Sequence, residues 1–214
     1  MSPGNTHLQT LPSSLFLSAL EEPPYTIFMS TLQSIPLLTI DGTPTSLAAY
    51  SGKVLLIVNV ASKCGLTPQY TALEAVYQRY KDRGLAVLGF PANDFAGQEP
   101  GTNQEIAKFC STEYPVTFPL FSKIAVTGPA KHDLYAALIA AAPEHTPHGP
   151  WREKLTGFAA KNGFPPPNEL PELLWNFEKF LIGRDGNVLA RFAPDTPPDD
   201  PKIITAIEKA LETA

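Results

Sequence analysis

The sequence predicts an α/β fold, a central mixed β-sheet flanked by helices, on three observations. Residues 54–58, Val-Leu-Leu-Ile-Val, are an unbroken apolar run rich in β-branched side chains, as in a strand buried on both faces. A second such run covers 85–90. Between them, apolar residues at Tyr70, Leu73, Val76, Tyr77 and Tyr80 follow helical spacing, and Gly84 ends the pattern as a C-cap. Strand, helix, strand in that order predicts a parallel pair joined by a right-handed crossover.

The remaining elements attach to this βαβ core. Residues 1–30, rich in Pro, Ser and Thr, read as a disordered extension; the cluster Leu15-Phe16-Leu17 has no basic residue ahead of it and is too short for a secretory signal. Met29, just before the first well-patterned segment, is a second candidate start of translation. Residues 31–214 read as the folded domain. In it, Ile35–Ile40, Asp41-Gly42 and Thr43–Thr45 spell a small hairpin, and Leu47–Tyr50 a helical turn ending at Gly52. After the central strand the chain enters its helix with Thr67 as N-cap and Pro68 at the first helical position. A loop over 91–101 leads to a helix from Thr102 or Asn103 to about Ser111. Residues 116–121 look extended, with Pro119 favouring a sheet edge or a cis-proline turn. A helix follows over 132–142. Residues 143–170, with prolines at 143, 147, 150 and 165–167, read as an inserted surface loop carrying a short helix over 151–160. Phe177–Ile182, a turn at 184–187 and Val188–Phe192 form a hairpin, and a helix over Pro201–Leu211 closes the chain. Together these elements make a thioredoxin-like α/β sandwich.

Composition narrows the function. The net charge is −5 with Lys and Arg scattered, which argues against nucleic acid or an anionic membrane surface as partner. No apolar run approaches the ~20 residues of a membrane-spanning helix. With only two cysteines, Cys64 and Cys110, the chain fits a reducing compartment, the cytoplasm. There is no Cys-x-x-Cys, which disfavours a standard dithiol reductase. His7, His132, His145 and His148 sit in no segment like the catalytic loop of a thiol protease, and no Cys/His/carboxylate set has metal-ligand spacing.

Cys64 stands out. It follows the central strand and precedes a helix, with Ser62, Lys63 and Gly65 around it. A helix N-terminus favours the thiolate, so a depressed pKa and a reactive sulfur are expected.

Three segments then carry a resemblance. Residues 59–69 (Asn-Val-Ala-Ser-Lys-Cys-Gly-Leu-Thr-Pro-Gln), 89–100 (Gly-Phe-Pro-Ala-Asn-Asp-Phe-Ala-Gly-Gln-Glu-Pro) and 175–181 (Trp-Asn-Phe-Glu-Lys-Phe-Leu) resemble the signatures of the glutathione peroxidase family, in its order and spacing. The likeness runs from about Leu32 to the C-terminus and is to the cysteine-containing, non-selenium branch, in bacterial members. It implies Cys64 as peroxidatic nucleophile, with Gln98, Trp175 and Asn176 completing a catalytic tetrad, and Cys110 as resolving cysteine. It implies reduction of hydrogen peroxide and organic hydroperoxides through a sulfenic acid and a Cys64–Cys110 disulfide. No bound cofactor or metal is implied; thioredoxin or glutathione serves as reducing cosubstrate. The chemistry is coherent in its own right. An indole N–H and two amides are neutral donors that stabilise a thiolate, and then the oxygen anion of a breaking O–O bond, without a titrating base.

The family's Cys-Asn-Gln is here Ala92-Asn93-Asp94, which leaves Cys110 as the one available partner thiol. Asp94 is expected to face away from the sulfur, since a carboxylate beside it would oppose ionisation. Lys63, Arg152 and Arg184 are candidate contacts for glutathione. The alternative function is a peroxide sensor or redox relay that passes the disulfide to a partner protein.

Overall fold

The computed structural model describes residue 1, residues 32–144 and residues 151–213. The rest of the expected N-terminal extension, with His7, and residues His145 and His148 lie outside the described residues. The elements are β1 (Leu37–Leu38), β2 (Pro44–Thr45), β3 (Val54–Val60), α1 (Gln69–Tyr80), β4 (Leu85–Pro91), α2 (Asn103–Glu113), α3 (Asp133–Ala141), α4 (Trp151–Asn162), β5 (Lys179–Ile182), β6 (Val188–Phe192) and α5 (Pro201–Glu212).

The main sheet has the order β4-β3-β5-β6. β3 and β4 pair in parallel from Val54↔Leu85 to Val60↔Pro91, as the βαβ pattern predicts. β5 returns antiparallel to β3, Leu55↔Ile182 to Val58↔Lys179, and β6 pairs antiparallel with β5. Every residue of β3 and β4 is buried, which is why their sequences run apolar without alternation. α1 buries Tyr70, Leu73, Val76 and Tyr80 and packs on β4. α5 starts at Asp200, whose carboxylate caps Lys202 N–H, with Pro201 behind it; it buries Ile203, Ile207, Ala210 and Leu211 and packs on β3. The result is a thioredoxin-like sandwich.

The extended segment containing Pro119 lies on the outer edge of β4: Gly89 N–H donates to Pro119 O at 3.0 Å and Phe121 N–H donates to Gly89 O at 2.9 Å. A Cβ on Gly89 would stand 2.7 Å from Leu120 Cδ2 and 3.1 Å from Phe118 Cε2, so a larger residue there would force those side chains to shift. Among the described residues the cis peptide is at Leu170–Pro171 and not at Pro119, which therefore marks an edge rather than a cis turn.

The inserted segment is tied at both ends by one side chain. Arg191 of β6 donates to Ala142 O, Pro143 O and Pro171 O from Nη1 and to Glu172 O from Nη2. Its Nε donates to Glu178 Oε1 at 2.6 Å, an ion pair with both side chains buried, and Glu178 Oε2 accepts Leu174 N–H at 2.8 Å. One buried pair therefore holds the stalks of the insertion and the segment ahead of β5.

Candidate active site

β3 ends at Val60, and the turn that follows is closed by Thr67. Its hydroxyl donates to Ala61 O at 2.8 Å and accepts Cys64 N–H at 3.0 Å. Because that hydroxyl is committed inside the turn, Thr67 does not cap α1 as expected; Pro68 takes the cap position, with no side-chain bond. The turn presents Cys64 Sγ to the N–H of Leu66 at 3.4 Å, with the cysteine 9% exposed.

Trp175 and Asn176 are brought to the sulfur by Asn59, the one polar residue of β3. Asn59 Nδ2 donates to Trp175 O at 3.1 Å, its Oδ1 accepts Glu178 N–H at 3.0 Å, and its backbone O accepts Phe177 N–H at 2.7 Å. These bonds straddle Phe177, whose φ of +68° is uncommon for a bulky residue and redirects the chain into β5. The Phe95 ring packs on Trp175 at 5.3 Å between centroids.

Gln98 follows a tight turn in which Ala96 and Gly97 have φ of +54° and +62°. Its carbonyl accepts Lys63 N–H at 3.0 Å, and its side-chain Oε1 accepts Asn176 Nδ2 at 2.9 Å. The structure thus brings Trp175 and Asn176 against the Cys64 sulfur, while Gln98 joins through Asn176 and lines the same cleft. Asn176 Oδ1 is buried without a hydrogen-bond partner among the described residues, a cost of about 1–3 kcal/mol.

Burial pushes the Cys64 thiol up from its ordinary pKa; the Leu66 N–H, then Asn176 and Trp175, oppose it without cancelling it. The direction is opposite to the expected depression: desolvation of the sulfur is the largest contribution, and the three donors partly offset it. Cys110, on the buried face of α2 beside Ile106, is 1% exposed and, like Cys64, a free thiol. Burial, with a smaller contribution from the Glu99 carboxylate, pushes its pKa up to about 11, against the Tyr70 hydroxyl that favours its ionised form. Glu99 is itself buried and accepts Ser62 Oγ–H at 2.9 Å, so one carboxylate lies between the turn of Cys64 and the surroundings of Cys110.

Asp94 accepts Val126 N–H at 3.1 Å and is not among the groups that shift Cys64, in keeping with a carboxylate directed away. Lys63 lines a groove with Ser62, Glu99 and Glu105. Arg152 pairs with Glu169. Arg184 is ruled out as a contact at the site: it donates to Gly52 O at 2.8 Å and Arg83 O at 3.0 Å, at the start of β3, about 20 Å from the end that leads to Cys64. His132 caps α3, its Nδ1 accepting Leu134 N–H at 3.2 Å.

Sequence reasoning missed Asn59 and the Glu178–Arg191 pair as organisers of the site. The legible signal for Asn59 was a single amide inside an otherwise apolar strand, since a buried amide must be hydrogen-bonded.

The thioredoxin-like sheet thus holds a buried thiol among an indole and two amides. The family profile described as Glutathione peroxidase matches residues 32–139. Thioredoxin/glutathione peroxidase BtuE of Escherichia coli (strain K12) is 52% identical over 174 residues, 80% of this chain and 92% of that one. Hydroperoxy fatty acid reductase gpx1 of Synechocystis sp. is 46% identical over 172 residues, 80% of this chain and 90% of that one. The crystal structure of Trgpx in apo form superposes with a TM-score of 0.61 at 34% identity, covering 85% of this chain and 96% of that one. This chain belongs to the glutathione peroxidase family, and its activity is that of a peroxide-reducing oxidoreductase.

Proposed function

We propose that the protein reduces hydrogen peroxide and organic hydroperoxides at Cys64, passes the oxidation to Cys110, and is recharged by thioredoxin, with glutathione as a slower reductant. The single observation that carries this reading is the convergence of Trp175 and Asn176 on the Cys64 sulfur. Attack of the sulfur on the outer peroxide oxygen breaks the O–O bond and oxidises sulfur by two electrons to Cys64–SOH. The leaving oxygen departs as water or an alcohol, taking the proton that the thiol gave up. Cys110 then attacks the sulfenic sulfur, releasing water and forming the disulfide, and a dithiol reductant returns both thiols.

Two features support the reductant choice: the name of the E. coli relative includes both thioredoxin and glutathione, and Cys110 offers an internal resolving thiol. The test is NADPH consumption with hydrogen peroxide, using either thioredoxin and its reductase or glutathione and its reductase. Wild type should turn over faster with thioredoxin; Cys64→Ser should be inactive with both; Cys110→Ser should lose the thioredoxin-linked rate. Equal rates for wild type and Cys110→Ser with thioredoxin would reject the disulfide route. One oxidation without continued turnover would favour the sensor or relay.

A further inference from the structure

The cleft above Cys64 is larger than hydrogen peroxide needs, and one wall belongs to the insertion. Its volume is about 270 Å³, against a share of ~30 Å³ for a liquid water molecule. Cys64 and Trp175 lie on one side; Lys154, Leu155 and Phe158 of α4 face them. Leu155 is 6% exposed and Ala159 is fully buried, so these two, one turn apart, hold α4 against the body. Phe158 is not needed for that packing. It is 44% exposed, its ring 6.0 Å from that of Phe164, at the rim of the cleft. Lys154 is exposed and makes no ion pair among the described residues, whereas Arg152 on the same helix is neutralised by Glu169. The Arg191 bonds to both stalks fix the wall relative to the Trp175–Asn176 segment.

Resting on the peroxidase reading, we propose that α4 is the specificity element of this site. Leu155 and Phe158 hold the apolar chain of an organic hydroperoxide, and Lys154 pairs with an anionic group on that chain, so free fatty-acid hydroperoxides are favoured over uncharged ones. Hydrogen peroxide reaches Cys64 but gains nothing from this wall, because it has neither chain nor charge. The ammonium of Lys154 acts at the water-facing edge, so its contribution falls with ionic strength. The Phe158 contribution is apolar and does not.

The test compares kcat/KM for three substrates: linoleic acid hydroperoxide, its methyl ester and hydrogen peroxide, the lipids below their aggregation limits. The acid and ester share the chain and differ in charge. Lys154→Glu should lower the acid-to-ester ratio about fivefold, the scale of one surface charge pair, and added salt should shrink the wild-type ratio. Phe158→Ser should lower the ester-to-hydrogen-peroxide ratio about tenfold, the scale of a lost apolar contact in a binding pocket. Phe158→Leu should restore most of it. Both side chains are exposed, so neither variant is expected to unfold the protein, and circular dichroism checks this. An unchanged acid-to-ester ratio in Lys154→Glu, or an unchanged ester-to-peroxide ratio in Phe158→Ser, overturns the assignment while leaving the peroxidase reading intact. Phosphatidylcholine hydroperoxide in vesicles outcompeting the free acid also overturns it. Failure of the wild type to turn over any of the peroxides overturns the peroxidase reading and this assignment with it.

Discussion

At Cys64 burial and hydrogen bonding act in opposite directions. Removing the thiol from water favours its neutral form, and the Leu66 N–H, Asn176 and Trp175 favour the thiolate. Trp175→Phe keeps a ring against Phe95 and deletes the indole N–H. Removing a donor to the charged form moves the pKa further up, so the midpoint of iodoacetamide alkylation of Cys64 against pH should move to higher pH. The rate with peroxide should fall by roughly 10²-fold, as for loss of one donor to a developing oxyanion. Peptide mass spectrometry of quenched time points reads the first and stopped-flow fluorescence the second; an unmoved midpoint would remove the indole from the site. The sequence made Cys64 conspicuous, because a cysteine between a buried strand and a helix is an unusual placement. It did not disclose the sign of the pKa shift. That sign depends on how deeply the sulfur is buried, which no motif encodes. Thr67 shows the same limit: it has the right residue type for an N-cap, but its hydroxyl is used by Ala61 and Cys64.

Among the elements, β5 and β6 carry two buried charged groups that hold the site. Arg191→Ala would leave Glu178 buried and unpaired and free the stalks of the insertion, so stability should fall by about 3–5 kcal/mol. Urea unfolding measures this, and a loss below about 1 kcal/mol would mean that the pair does not carry the insertion. Lys179 is fully buried, its ammonium donating to Pro194 O at 3.0 Å and Thr196 O at 2.6 Å, and burial lowers its pKa to about 7. In the unfolded chain a lysine binds its proton up to about pH 10.4. Between pH 7 and that value the unfolded state holds the extra proton, so wild-type stability gains as pH rises. Lys179→Met has no such titration. The stability difference between wild type and Lys179→Met should therefore shift in favour of wild type from pH 7 to 10, and a pH-independent difference would show that Lys179 stays charged when folded. The strands and α1 were legible because apolar runs and 3.6-residue spacing report burial directly. The helix of the insertion was legible too. Its place on the cleft was not, since nothing local to Lys154, Leu155 and Phe158 says which surface they face.

For the whole molecule, the sheet order puts Asn59 of β3 between the elements that supply Gln98 on one side and Trp175 and Asn176 on the other. Residues far apart in the chain meet at one end of one sheet. The βαβ order made that topology readable, and the three signature segments marked its corners. Cys110 is the part that the fold conceals: it is buried on α2 and, like Cys64, a free thiol. A disulfide needs Cα atoms about 4.4–6.8 Å apart. The most direct measurement is peptide mass spectrometry of the reduced protein after one equivalent of hydrogen peroxide, with free thiols blocked before digestion. An intramolecular Cys64–Cys110 disulfide is expected as the main product, and none in Cys64→Ser. Cys64 persisting as a sulfenic acid or glutathione adduct while Cys110 remains a free thiol, or Cys64 unmodified, would contradict it.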